Sequence, residues 1–478
     1  MLFSSPIFLF LFLPLVLAIY FLIRRELRNG FLLCMSILFY AWGEKGYVLI
    51  MLCSMGINFV FGLVLEKFSP DESGKRKVAL SLAVLLNLGL LGYFKYFAFL
   101  VASLSFGVIR IDPIHLPSGI SFFTFHALSY IIDVYRRKVP AQRNLFDMAL
   151  YISFFPQLIA GPIIRYHDIA GQIFQRTETL VRMTSGIRRF IVGLGKKVLV
   201  ANTLGAVADQ IFSLTTDRLT PGLSWLGILC YTLQIYYDFS GYSDMAIGLG
   251  RMFGFEIKEN FQYPYISQSI REFWRRWHIS LSTWFRDYLY IPLGGNRGTP
   301  LRTHVNLIIV FFLCGLWHGA SWTFVFWGLW HGCFLVLERL RFGRWLTSLW
   351  MPVRHLYALG VIMTGWVFFR SPDLGYAFSY LQALAGLAKG DGVETFVGMY
   401  LNREVLLALG LGVLFSAPIY PAVGRWRTTV LNWIEGPVSG CTGKAFDLIH
   451  AGSLFCIFIL CVMKLASGTY NPFIYFRF

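Results

Sequence analysis

The sequence predicts an all-α polytopic membrane protein with about ten to twelve transmembrane helices and additional re-entrant and interfacial helices. Composition is the first reason: of 478 residues, 56% are hydrophobic and only 14% are charged. In soluble globular proteins about 45–50% of residues are apolar and about 25% are charged. The second reason is that the apolar residues gather in long runs, with Lys and Arg between them. Together these features argue against a cytosolic enzyme, a disordered protein and a disulfide scaffold.

The net charge of +17 comes from 42 Lys and Arg against 25 Asp and Glu. In a soluble protein this excess would suggest a nucleic-acid partner. In a membrane protein it is the ordinary bias of cytoplasmic loops toward basic residues. We therefore expect contact with membrane lipid and no nucleic-acid partner.

The first apolar run, residues 7–23, is followed at once by Arg24, Arg25 and Arg28. No basic residue precedes the run and no small-residue cleavage site follows it, which predicts a retained anchor and not a signal peptide. The positive-inside rule then places the N-terminus outside and Arg24 in the cytoplasm.

The later elements follow from the same reasoning. Runs at 31–42 and 47–65 predict an out-and-back hairpin that ends at a basic loop containing Lys75, Arg76 and Lys77. Further apolar runs, several of them too short to cross a bilayer alone, predict tilted or re-entrant segments. They lie at 78–101, 120–132, 145–164, 190–212, 223–249, 305–316, 322–337, 356–369, 405–417 and 451–463. No repeat or linker interrupts them, so residues 1–478 are expected to form one integral domain.

A basic and tryptophan-rich segment at 271–287 has the spacing of an amphipathic helix. One side carries Phe273, Trp277, Leu281, Trp284 and Tyr288, and the other carries Arg271, Arg275, His278, Ser282 and Arg286. Such a helix can lie on anionic lipid headgroups. Alternatively, its basic side guards the cytoplasmic mouth of a site for a phosphorylated donor, with His278 directed into a polar cavity.

His318 is a single histidine in an almost uncharged apolar stretch, with Gly315 and Gly319 close by. A neutral histidine in such a setting can accept a proton from a hydroxyl or thiol. The residues alone nevertheless favour a core histidine that is hydrogen-bonded to a backbone carbonyl. His331 has a similar setting, and spacing alone does not choose between them. Neither has a His or Glu four residues away, and the eight cysteines are dispersed, so no metal site is predicted.

Two carboxylates, Asp238 and Asp244, fall late in a long apolar run. Carboxylates at membrane depth are costly and need a function or a partner. Ion pairing, with the arginines of the basic segment as one choice of partner, is the favoured interpretation. The other two interpretations are that the carboxylates position the histidines or that they line a wet cavity as polar support.

The segment 272–297, EFWRRWHISLSTWFRDYLYIPLGGNR, resembles the membrane-bound O-acyltransferase (MBOAT) family, and within it the bacterial alginate type. Further matches lie at 1–5, 119–125, 154–162, 237–246, 317–319 and 470–476, whereas 373–427 matches nothing. The resemblance implies many transmembrane helices around a central funnel, a catalytic histidine at His318 and a second active-site histidine at His278. His318 would then act as general base and His278 would orient the donor. Arg271, Arg275 and Arg276 would hold donor phosphates, an interpretation taken from the helical wheel.

The resemblance also implies a bacterial inner-membrane enzyme that uses acetyl-CoA as donor and no tightly bound cofactor. The acetyl group would pass to a periplasmic SGNH-hydrolase-like acetyltransferase or a polysaccharide-synthesis complex. Alginate, cellulose, peptidoglycan and other polymers stay open as acceptors. Two other functions compete: a transporter or flippase for a glycan or lipid, and a haem or metal protein using His318 and His331.

Overall fold

The computed structural model describes residues 1–69, 71–109, 111–112, 114–387, 396–433, 437–468 and 470. Over these residues the chain forms helices and loops without a β-strand, which confirms the all-α fold class. The C-terminal match at 471–476 lies outside the described residues.

The helices follow one another closely along the chain. In the N-terminal part they are α1 (Leu13–Leu22), α2 (Arg28–Glu44), α3 (Val48–Lys67), α4 (Ser73–Leu91), α5 (Phe97–Leu104), α6 (Ile120–Tyr135), α7 (Leu145–Ser153), α8 (Phe155–Leu158) and α9 (Tyr166–Phe174). In the middle they are α10 (Leu180–Gly195), α11 (Asn202–Phe212), α12 (Pro221–Met252), α13 (Ile270–Arg276), α14 (Ile279–Phe285), α15 (Pro300–His318) and α16 (Trp322–Leu337). The last group is α17 (Arg341–Ser348), α18 (Met351–Arg370), α19 (Leu374–Leu384), α20 (Arg403–Ser416), α21 (Ile419–Trp433) and α22 (Pro437–Ala466).

Short segments of other helical types join or extend several of these helices. The π-helical segments are Phe8–Phe12, Gly92–Tyr96, Lys196–Ala201 and Arg286–Tyr290. The 3₁₀ segments are Arg25–Leu27, Lys45–Tyr47, Pro264–Ile266 and Val397–Met399. Single π turns inside α-helices are frequent at functional sites, and one of them, Gly92–Tyr96, reaches the candidate site described below.

Helix α12 is buried along most of its 32 residues and forms the centre of the fold. Helix α10 crosses it at glycine contacts on two levels. A Cβ atom on Gly193 would lie 2.6 Å from the carbonyl oxygen of Gly241, and one on Gly248 would lie 2.6 Å from that of Gly186. Small residues that let two backbones touch are the usual means of helix packing in lipid.

Among the described residues, five helical stretches are long and apolar enough to cross a membrane by length and composition. They are Arg25–Lys67, Ser73–Leu104, Leu180–Phe212, Pro300–His318 and Thr442–Ala466. The pair α20 and α21, bent by 65°, gives a sixth if it counts as one broken span. Shorter apolar helices at Phe8–Leu22, Ile120–Tyr135 and Trp322–Leu337 match the expected short segments. The chain is thus a multi-pass membrane protein, and the count of ten to twelve crossings stays a prediction.

Candidate active site

His318 is the last residue of α15, at the point where the chain turns into α16. The two helices touch through glycine: a Cβ on Gly315 would lie 2.3 Å from the carbonyl oxygen of Phe324. This close packing places the histidine among aromatic rings. The centroid of its ring lies 4.9 Å from the ring centroid of Trp317 and 4.9 Å from that of Trp327. The residue is 6% exposed, and that exposure faces a cavity.

The cavity has a volume of about 400 Å³, within the range of small-molecule sites. Apolar side chains and the backbone of the loop before α6 form part of its wall. Its polar side chains, together with Trp317, are Lys95, His115, Ser118, Ser121 and His318. An imidazole in the wall of such a cavity has the position required of a general base.

His278 is fully buried close to this cavity, but it is not among the residues that line it. Its Nδ1 lies 3.3 Å from Asn260 Oδ1 and 3.4 Å from Ser280 Oγ. The ring of Trp317 contacts both predicted catalytic histidines, since its centroid lies 6.1 Å from the ring of His278 and 4.9 Å from that of His318. Phe239, Phe261 and Trp317 surround the ring, with Asn260 and Ser280 as polar neighbours, and the expected polar cavity around His278 stays a prediction.

The prediction of one continuous helix over 271–287 is wrong. The segment forms α13 and α14 with a break at Trp277 and His278, followed by the π segment Arg286–Tyr290. His278 has φ of +42° and ψ of +55°, a left-handed conformation that is uncommon outside glycine. This kink takes His278 off the basic side and into the core. The apolar stripe is nevertheless buried as expected: Phe273, Trp277, Leu281, Trp284 and Tyr288.

The three arginines predicted to bind the donor lie on α13 and do not line the cavity. Arg271 and Arg275 are exposed, whereas Arg276 Nη2 is 2.9 Å from Glu272 Oε1. The first backbone N–H groups of α13 donate to the carboxylate of Glu338, which directly follows α16. Because α16 has 16 residues, or roughly 24 Å, the start of α13 lies far from the His318 end of that helix.

Asp238, which is buried, and Asp244, which is partly buried, form ion pairs with helix α10 and the π segment after it. Asp238 Oδ1 lies 2.7 Å from Lys197 Nζ, with both side chains at most 3% exposed. Asp244 contacts Lys196 at 2.6 Å and Arg189 at 2.7 Å. The arginines of α13 are not these partners, and neither carboxylate lines the cavity. A role of Asp238 or Asp244 as polar support for the site stays a prediction.

Sequence reasoning missed Lys95, which stands in the cavity wall beside His318. In the sequence it falls inside the apolar run at 78–101 that is expected to cross the lipid. A lone lysine in an apolar run is a signal that could have identified it, because ionisable groups at membrane depth usually serve a function. In the part of the chain that the structure describes, no three His, Cys, Asp or Glu side chains form a cluster able to hold a metal ion.

Comparison with known proteins identifies the family of this chain. The model of the MBOAT, membrane-bound O-acyltransferase family, matches residues 136–371, a range that contains both histidines. Probable alginate O-acetylase AlgI of Azotobacter vinelandii is 43% identical, and the alignment covers 100% of both chains. Peptidoglycan O-acetyltransferase of Helicobacter pylori is 35% identical over 100% of this chain and 98% of its own. Teichoic acid D-alanyltransferase of Streptococcus thermophilus is 31% identical over 46% of this chain and 56% of its own. The full-length identities show that the chain belongs to the membrane-bound O-acyltransferase family.

Proposed function

We propose that this membrane O-acetyltransferase takes an acetyl group from acetyl-CoA at the cytoplasmic face and passes it across the membrane for O-acetylation of an exported polysaccharide. The observation that carries the proposal is the cavity beside His318, at the opposite end of α15 and α16 from the basic segments. Full-length relatives named for O-acetylation of alginate and of peptidoglycan support a polysaccharide hydroxyl as the final acceptor.

The two ends of helices α15 and α16 differ in charge. Helix α15 begins beside Arg297 and Arg302 and reaches His318 after 19 residues, or roughly 28 Å. Basic residues favour the cytoplasmic side. The cavity thus opens toward the periplasm of a bacterial inner membrane. Residues Arg271 and Arg275, beside the far end of α16, face the cytoplasm.

The chemistry follows from these positions. The His318 imidazole removes the proton of an acceptor hydroxyl as its oxygen bonds to the acetyl carbonyl carbon. The thioester C–S bond breaks, and the thiolate of CoA leaves and takes up a proton. His278, whose ring also contacts Trp317, orients the donor. The acceptor hydroxyl belongs to a periplasmic SGNH-hydrolase-like acetyltransferase or to a polysaccharide-synthesis complex, which completes the modification.

Sealed proteoliposomes test this function directly. Acetyl-labelled acetyl-CoA is supplied on the side of the basic loops, and a periplasmic acetyltransferase of the SGNH type with an oligosaccharide is supplied on the other side. We expect label on the acceptor side and one free CoA released per acetyl group transferred. A glycan or lipid that crosses the membrane without consumption of acetyl-CoA would instead support a transporter.

The role of the α13 arginines in donor binding can be tested through the KM for acetyl-CoA. Replacing the exposed Arg271 and Arg275 by serine should raise the KM for acetyl-CoA about tenfold for each hydrogen bond to phosphate that the change removes, with kcat little changed. A smaller effect is expected at Arg276, whose guanidinium is already paired with Glu272. The control is Arg344→Ser on α17, another exposed arginine. An unchanged KM together with weaker binding to anionic vesicles would favour the lipid-headgroup interpretation.

A further inference from the structure

The C-terminal end of α15 is held from outside by residues of the π segment Gly92–Tyr96. The Tyr96 hydroxyl donates to the carbonyl oxygen of Leu316 at 2.8 Å. The Lys95 ammonium donates to that of Trp317 at 2.5 Å and lies 3.4 Å from that of His318. The last four carbonyls of an α-helix have no partner within the helix. Two adjacent side chains from a segment more than 200 residues away thus satisfy three consecutive carbonyls.

Lys95 also belongs to the cavity wall itself. Its Nζ lies 3.4 Å from Ser121 Oγ and 5.9 Å from the centroid of the Trp317 ring. A cation near the C-terminus of a helix is stabilised by the helix dipole. The same charge is costly at membrane depth without a function or a partner. Its partners here are the backbone atoms of the two residues that end in the site, Trp317 and His318.

We propose that Lys95 is a positioning residue, which fixes the end of α15 so that the His318 imidazole keeps its place in the cavity. This inference rests on the proposed role of His318. The end of α15 is directly followed by Gly319, and in the absence of Lys95 the last turn has no charged anchor. A displacement of about 1 Å in a catalytic group can cost about 10²-fold in rate. In this proposal Lys95 acts through His318.

Kinetics of Lys95→Met and Lys95→Arg test the proposal. Lys95→Met should lower kcat by about 10²-fold and leave the KM for acetyl-CoA unchanged, because the donor site is not touched. Lys95→Arg keeps a cation with several donors and should recover most of the rate. The matched control is Lys75→Met at the start of α4, an exposed lysine that pairs with Glu72. If Lys95→Met does not fold, Tyr96→Phe removes one neighbouring hydrogen bond and should lower kcat by about tenfold.

A readout that does not depend on activity separates this proposal from the proposed function. In a background without other cysteines, His318→Cys places a thiol at the end of α15, and its rate of alkylation by a small reagent reports on the order of that turn. Adding Lys95→Met should change this rate by about tenfold, whereas adding Lys75→Met should not. An unchanged alkylation rate, or a normal kcat in folded Lys95→Met, would overturn the positioning role. Absence of acetyl transfer by the unmodified protein would overturn the proposed function alone, and alkylation would still decide the role of Lys95.

Discussion

Replacing His318 by alanine is expected to lower acetyl transfer by about 10²–10⁴-fold, the usual contribution of a general base. The imidazole is the titratable side chain that ends α15 in the cavity, and alanine has no atom that can take the proton of the acceptor hydroxyl. The measurement is transfer of labelled acetyl groups by purified protein in proteoliposomes. His318→Gln adds a sharper test, since glutamine keeps a polar side chain of similar reach but cannot accept and release the proton.

The matched control lies on the same helix. His304 is near the start of α15, far from the cavity, and His304→Ala should keep near-normal transfer. All three variants must insert and elute as monodisperse protein in detergent, so that a fall in activity does not reflect a failure to fold. Transfer close to normal in folded His318→Ala would reject the catalytic assignment.

His331 separates the acyltransferase from the metal-protein alternative. Its buried ring stacks near Phe273, at 6.2 Å, and meets Trp327 edge to face at 5.3 Å. These contacts are those of an aromatic core. Metal analysis of the purified protein makes the test. A stoichiometric metal that is lost in either His318→Ala or His331→Ala would favour a metal centre over our proposal.

Much of the fold could be predicted because bilayers impose simple rules on composition and span length. The basic loops and the buried stripe from Phe273 to Tyr288 followed from such local patterns, and the O-acyltransferase class expected from the sequence is confirmed by the family and the relatives. The position of His278 did not follow, because a helical wheel assumes unbroken helix and nothing local required a left-handed residue there. The contact of Lys95 with Trp317 was equally hidden, since it joins segments more than 200 residues apart. Such long-range pairing is decided by packing and not by sequence period.

The buried ion pair of Lys197 and Asp238 is expected to dominate the response of the fold to single charge removal. The pair lies between the π segment after α10 and the central helix α12, with side chains 3% and 1% exposed. Removing one partner of a buried ion pair leaves the other charge buried without it, which typically costs about 3–5 kcal/mol. Lys197→Met or Asp238→Leu alone should therefore markedly lower the thermal stability of the detergent-solubilised protein, measured as the fraction that stays monodisperse after heating.

The double variant Lys197→Met, Asp238→Leu removes both charges and should recover most of that stability, because replacing a complete buried pair by apolar residues is often neutral. An exposed pair, Lys75 with Glu72, serves as the control, and its disruption should leave the thermal stability nearly unchanged. Acetyl transfer by the double variant then separates the two interpretations of Asp238. A stable and active double variant means that the carboxylate only compensates the lysine charge. A stable but inactive one means that Asp238 supports the site, since restored folding without restored chemistry leaves the carboxylate itself as the missing group.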